Sequence, residues 1–120
     1  MFEFIFPYNY PFSPPSVIFH TNADRIRMNP NLYRSGKVCI SILNTWKGEQ
    51  WTSCQTIKTV LFSLLTILND KPLLNEPGVR ENHSDFNNYN EIIKFKNIDT
   101  EIFKVLLLED TFPIKIKFKD

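Results

Sequence analysis

NPNLYRSGKVCISILNTWKGEQW, residues 29–51, runs from a turn to a cysteine and from the cysteine to a pair of tryptophans. Asn29-Pro30-Asn31 is turn-forming: proline fixes φ, and asparagine side chains bond to nearby backbone. A short polar loop follows and ends in Gly36, and Cys39 then opens an apolar run. Trp46 and Trp51 bracket the Gly-containing loop of residues 47–50. A cysteine in an apolar run is most often a small buried hydrophobe. Two features oppose that reading here. Cys39 follows a polar, Gly-containing loop, a junction where a side chain can reach the surface. The Asn-Pro-Asn turn also sets rigid amides within reach of it.

Upstream, Phe2-Glu3-Phe4-Ile5-Phe6 alternates as a half-buried strand does, and Ser16-Val17-Ile18-Phe19-His20 is rich in β-branched and aromatic residues. The prolines at 7, 11, 14 and 15 make a rigid link between them, so the pair reads as the start of an antiparallel meander. Residues 37–43 fit a short strand or a buried extended segment. Downstream, Ile57, Val60, Leu61, Leu64, Leu65 and Leu68 recur with helical spacing and form one stripe. Its N-terminus is capped either at Thr52, with Gln55 completing a capping box, or one turn later at Thr56. Asn69 and Pro72 end it. Residues 73–85 form a loop containing Asn75-Glu76-Pro77-Gly78, and the apolar residues between Tyr89 and Leu107 suggest one long or two consecutive helices to about Glu109. Ile114-Lys-Ile-Lys-Phe-Lys119 alternates with period two, as an exposed amphipathic strand or a disordered end. Strands first and helices after make an α+β chain.

At 120 residues the chain holds one small domain with a real core. A net charge of +1 gives no field that would gather nucleic acid or an anionic membrane. No apolar run nears the roughly 20 residues that a membrane span needs. The start, MFEFIFPYNYP, lacks the basic and apolar blocks of a signal peptide. Two cysteines, Cys39 and Cys54, are too few for a disulfide scaffold and read as free thiols of a reducing compartment, cytoplasmic or nuclear. His20 and His83 lie far from both, so neither a metal site nor a cofactor is expected.

YPFSPPSVIFHT, then NPN, GKVCISIL, Trp51 and the Leu-striped helix together resemble the catalytic core of ubiquitin-conjugating enzymes. That family carries Tyr-Pro-Phe-x-Pro-Pro, His-Pro-Asn, Gly-x-x-Cys with the active cysteine, and a downstream tryptophan. RMNPNLYRSGKVCISILNTWKG, LLNEPG and NNYNE match its Z-type branch, where NPN replaces HPN and an Asn-Glu-Pro-Gly follows. The resemblance runs from Phe4 to about Leu108.

What the resemblance implies is a ubiquitin-conjugating α+β fold, an antiparallel meander packed on helices. A partial catalytic core would occupy residues 1–110 and a basic tail residues 111–120. The family's first helix and first strands would be missing, an N-terminal truncation. Cys39 would accept ubiquitin or a ubiquitin-like modifier from the ubiquitin-activating enzyme as a thioester. Asn31 would donate to the oxyanion of the transfer step, and Pro30 would stiffen its turn. Asn29 stands where most of the family has histidine and must supply that residue's bracing. Asp85 matches loosely the acidic residue that orients the incoming lysine, and is equally well read as a helix cap. Phe12 matches the aromatic that relatives present to RING-type ligases, although Thr52-Ser53-Cys54 departs from their Ser-Pro-Ala. A relative that keeps the fold and binds modifier or ligase without chemistry is the alternative.

Overall fold

Phenylalanine on alternate positions of Phe2–Phe6 makes one side of that segment apolar, and the segment is strand β1 of a three-stranded sheet. The chain is seen in a computed structural model that describes residues 1–20, 26–102 and 114–119. Strand β2, Ser16–Phe19, pairs antiparallel with β1, with Phe4 opposite Val17. Between them the chain turns through the proline-rich link, where the Tyr10–Pro11 bond is cis. Strand β3, Ile114–Phe118, lies on the other side of β1 and runs parallel to it, Phe4 beside Ile116. The first pair is the expected start of a meander, but the third strand is parallel, so the described sheet, in the order β2-β1-β3, does not continue as one. Of the two forms expected for residues 114–119, the structure has the exposed strand.

Phe4 and Phe6 point to the core side, with Val17 and Phe19 beside them. Burying a phenylalanine contributes roughly 1.5–3 kcal/mol. Helix α1, Ile57–Ile67, covers this face with Val60 and Leu64 buried and Ile57, Leu61 and Ile67 packed at the margin. Leu65 and Leu68, expected on the same stripe, stay 64% and 47% exposed. Each follows a core-facing residue, Leu64 or Ile67, by one position, and one residue turns the helix by about 100°. Thr56 is the N-cap, and its N–H donates to Thr59 Oγ1 at 3.4 Å. The rival at Thr52 exists as a separate turn, with Gln55 Oε1 accepting the Thr52 N–H at 3.0 Å.

Helix α2, Phe86–Lys96, buries Phe86 and Ile93 and continues as a wider π-helical turn over Asn97–Ile102. The expected extension to Glu109 and the boundary at residue 110 lie outside the described residues. Residues 37–43 take neither expected form throughout: isolated bridges tie Lys37 to Ile18 and Val38 to Leu32, and Ser41–Leu43 is a 3-10 turn. No helix among the described residues is long and apolar enough to cross a membrane.

Candidate functional site

The segment from Asn29 to Thr45 folds back on itself around Cys39. Gly36 starts the reversal with φ +87°, a backbone conformation that disfavours any side chain. A Cβ there would also stand 3.0 Å from the Phe19 carbonyl oxygen, because the Gly36 carbonyl accepts the Phe19 N–H at 2.8 Å. That contact pins the loop to β2. On the far side, the Thr45 hydroxyl sits 2.8 Å and 3.0 Å from the Val38 and Ile40 carbonyls and accepts the Ile40 N–H at 3.0 Å. The Cys39 thiol donates to the Thr45 carbonyl at 3.3 Å. Trp51 closes the loop from below: it is buried, its Nε1 donates to the Pro11 carbonyl at 2.7 Å, and its N–H reaches Asn44 Oδ1 at 2.8 Å.

Asn31 and Cys39 hold each other by two bonds. The Cys39 N–H donates to the Asn31 carbonyl at 2.8 Å, and Asn31 Nδ2 donates to the Cys39 carbonyl at 2.6 Å. Asn31 Oδ1 is buried without a partner among the described residues. Asn29, only 2% exposed, does the bracing expected of it. Its Oδ1 accepts the Asn31 N–H at 2.9 Å, and its Nδ2 donates to the Ile67 carbonyl at 2.7 Å. Asn75 Nδ2 joins the cluster, 2.8 Å from the same carbonyl and 3.2 Å from Asn29 Oδ1. The last carbonyls of a helix have no partner within it, and two side-chain amides here satisfy one of them. From α2, the Tyr89 hydroxyl donates to the Arg27 carbonyl at 2.8 Å. Burial pushes that phenol's pKa up to about 12, so it stays a donor across the working pH range.

Cys39 lies at the floor of a narrow cleft of about 30 Å³, walled by Arg27, Tyr33, Trp46, Glu76 and Pro77 with the Asn-Pro-Asn turn. The cysteine itself is 3% exposed. Tyr33 interacts with the cysteine sulfur, which raises the phenol's pKa above its ordinary value. The Arg27 guanidinium lies 4.8 Å above the Tyr33 ring and 3.6 Å from a Glu76 carboxylate oxygen. Among the described residues no cluster of His, Cys, Asp or Glu could hold a metal ion.

Of the residues singled out from sequence, Cys39 and Asn31 come together. Asp85 is not among those lining the cleft; it precedes α2, and its carbonyl accepts the Tyr89 N–H at 2.8 Å. The acid that does line the cleft is Glu76, and sequence reasoning missed both it and Tyr33. Glu76 was legible as part of Asn-Glu-Pro-Gly, whereas nothing in the spacing of Tyr33 marks its turn toward the cysteine. Phe12 is 78% exposed on the proline-rich link, and Cys54 is an exposed free thiol.

The family model for ubiquitin-conjugating enzyme matches residues 1–99. The chain belongs to that family. It is 42% identical over 109 residues to ubiquitin-conjugating enzyme E2 Z of Xenopus tropicalis, covering 88% of this chain and 35% of the relative. The human enzyme E2 Z is 45% identical over 101 residues, 82% of this chain and 28% of that one. A probable ubiquitin-conjugating enzyme E2 25 of Arabidopsis thaliana is 48% identical over 82 residues, 64% and 13% of the two chains. These matches place the chain on the Z-type branch. It spans about a third or less of the length of these relatives.

Proposed function

We infer that this chain is a ubiquitin-conjugating transferase working through Cys39. The Cys39 thiolate attacks the carbonyl of the activating enzyme's thioester with ubiquitin or a ubiquitin-like modifier. The activating enzyme's thiol leaves, and the modifier's C-terminal carbonyl becomes bonded to Cys39 Sγ. A substrate lysine amine, or a ligase cysteine, then attacks that carbonyl and displaces Cys39. The lysine's attack passes through a tetrahedral oxyanion, and a fixed amide donor at that centre is worth about 3–4 kcal/mol of barrier in this transfer step.

The two-way bond between Asn31 and Cys39 carries this reading. An amide nitrogen has two hydrogens. One of those on Asn31 Nδ2 is committed to the Cys39 carbonyl, which fixes the side chain beside the cysteine and leaves the other for the oxyanion. At about 30 Å³ the cleft is far smaller than the about 300–1,000 Å³ of small-molecule sites. Phe12, exposed outside the cleft, is the contact proposed for a RING-type ligase, and Asp85 or the nearer Glu76 would meet the incoming lysine.

The test is incubation with activating enzyme, ATP and ubiquitin, followed by a non-reducing gel. A thiol-sensitive adduct is expected, absent in Cys39→Ala and thiol-resistant in Cys39→Lys. Asn31→Ala should charge normally and transfer to lysine roughly 100- to 1,000-fold more slowly. No adduct from folded protein, with ubiquitin or any related modifier, would leave the non-catalytic binding module as the better account.

A further inference from the structure

Among the described residues no strand pairs with the outer edge of β3, and its two faces differ in chemistry. Ile114, Ile116 and Phe118 continue the core side of the sheet: they stand beside Phe2, Phe4 and Phe6, and the Phe118 ring stacks on Phe6 at 5.3 Å. Their exposures nonetheless run from 41% to 77%. The opposite face carries Lys115, Lys117 and, just past the strand, Lys119. Lys117 is held by the buried Glu3, Nζ to Oε1 at 2.5 Å, while Lys115 and Lys119 meet no carboxylate among the described residues.

The backbone polarity of the edge follows from one bond. The Lys119 N–H donates to the Phe6 carbonyl at 3.0 Å, so β3's odd-numbered residues turn their N–H and C=O toward β1. In a parallel ladder neighbouring residues face opposite ways, so Ile114, Ile116 and Phe118 turn theirs outward. An edge with free amides is a template for another strand. Antiparallel pairing of two copies through this edge would set lysine rows against each other, which like charges disfavour. A strand with acidic residues on alternate positions meets Lys115 and Lys119, and its apolar residues extend the Ile and Phe row.

We propose that the outer edge of β3 binds an extended peptide segment of a partner protein, acidic and apolar at alternate positions, as a fourth strand. This site is separate from the Cys39 cleft and does not depend on thioester chemistry. The probe is a fluorescein-labelled peptide of about eight residues alternating Glu and Val, read by anisotropy against the full chain. A Lys-Val peptide of the same pattern is the control. The acidic peptide should bind about tenfold more tightly than the basic one. Lys115→Glu with Lys119→Glu should reverse that preference, since neither lysine holds the fold through an ion pair. Ile116→Pro removes an outward N–H but no bond to β1, so it should abolish binding while the unfolding midpoint stays within a few degrees. Peptide binding should also slow hydrogen exchange at the Ile116 amide. Equal binding of both peptides, or none at millimolar concentration, overturns the proposal. So does self-association that Ile116→Pro abolishes, which would make a second copy the occupant. Capture by anionic vesicles in place of the peptide overturns it too.

Discussion

Asn29→Ala isolates what fastens the cysteine loop to the helices. Asn29 is 2% exposed and makes three hydrogen bonds through its side chain: to the Asn31 N–H, to Asn75 Nδ2 and to the Ile67 carbonyl. Alanine removes all three. The Ile67 carbonyl keeps Asn75 Nδ2 at 2.8 Å, and Asn75 keeps that bond, so neither is orphaned. The Asn31 N–H has no such substitute. Each lost bond costs about 1 kcal/mol net, and an orphaned buried donor adds about 1–2 kcal/mol. The expected loss is therefore about 4–5 kcal/mol, set against a total of roughly 5–15 kcal/mol for a small domain. Thermal midpoint should fall by roughly 15–20 °C.

Urea unfolding followed by tryptophan fluorescence measures this, and m should not change, because the surface exposed on unfolding is the same. Asn75→Ala made alone and together with Asn29→Ala closes a double-mutant cycle. Sharing one bond and one carbonyl, the two residues should couple by about 0.5–1 kcal/mol. A loss under about 1 kcal/mol for Asn29→Ala at constant m, with additive effects for the pair, would refute the amide cluster as the fastening.

Acid should weaken the fold through Glu3. Hydrogen bonds from Lys117 and then His20 lower its carboxyl pKa, so its stabilisation is full above the unfolded carboxylate pKa and is lost as pH falls through the lower folded value. Glu3→Gln should flatten that acid limb in pH-dependent urea titrations, and an unchanged limb would reject the assignment. Trp51→Phe removes the Nε1–Pro11 bond and part of a buried ring, for an expected loss of about 1–3 kcal/mol by denaturant titration. With Ellman's reagent, exposed Cys54 should react at once in the native protein and 3%-exposed Cys39 at least tenfold more slowly, the two converging in urea. Equal native rates would mean that the cleft opens freely.

Local periodicity carried the parts of the fold that local rules govern. The β1 alternation and the α1 stripe are set by which side chains must leave water, and both elements form where their patterns begin. The α1 cap was open between Thr52 and Thr56 because both satisfy the same chemistry, and both turns exist; only tertiary packing decides where the helix starts. The direction of β3 was not legible. Its alternation fixes two faces, but parallel or antiparallel pairing depends on where the chain re-enters the sheet, which no short-range signal encodes. The same limit separated Cys39 and Asn31, eight residues apart and tied by one loop, from Glu76, which reaches the cleft from beyond α1.

The amide cluster explains why that distant acid arrives at all. Asn75 donates to the Ile67 carbonyl at the end of α1 and to Asn29 at the start of the cysteine loop, and Glu76 is the next residue. One helix terminus with an unmet carbonyl thus draws in two asparagines, one from each side of the chain. The first fixes Asn31 through its N–H, and the second delivers Glu76 to Arg27. The amide at position 29 therefore does more than replace a histidine. It uses both ends of its side chain, acceptor toward Asn31 and donor toward α1, so the geometry around the cysteine is set by how that helix stops.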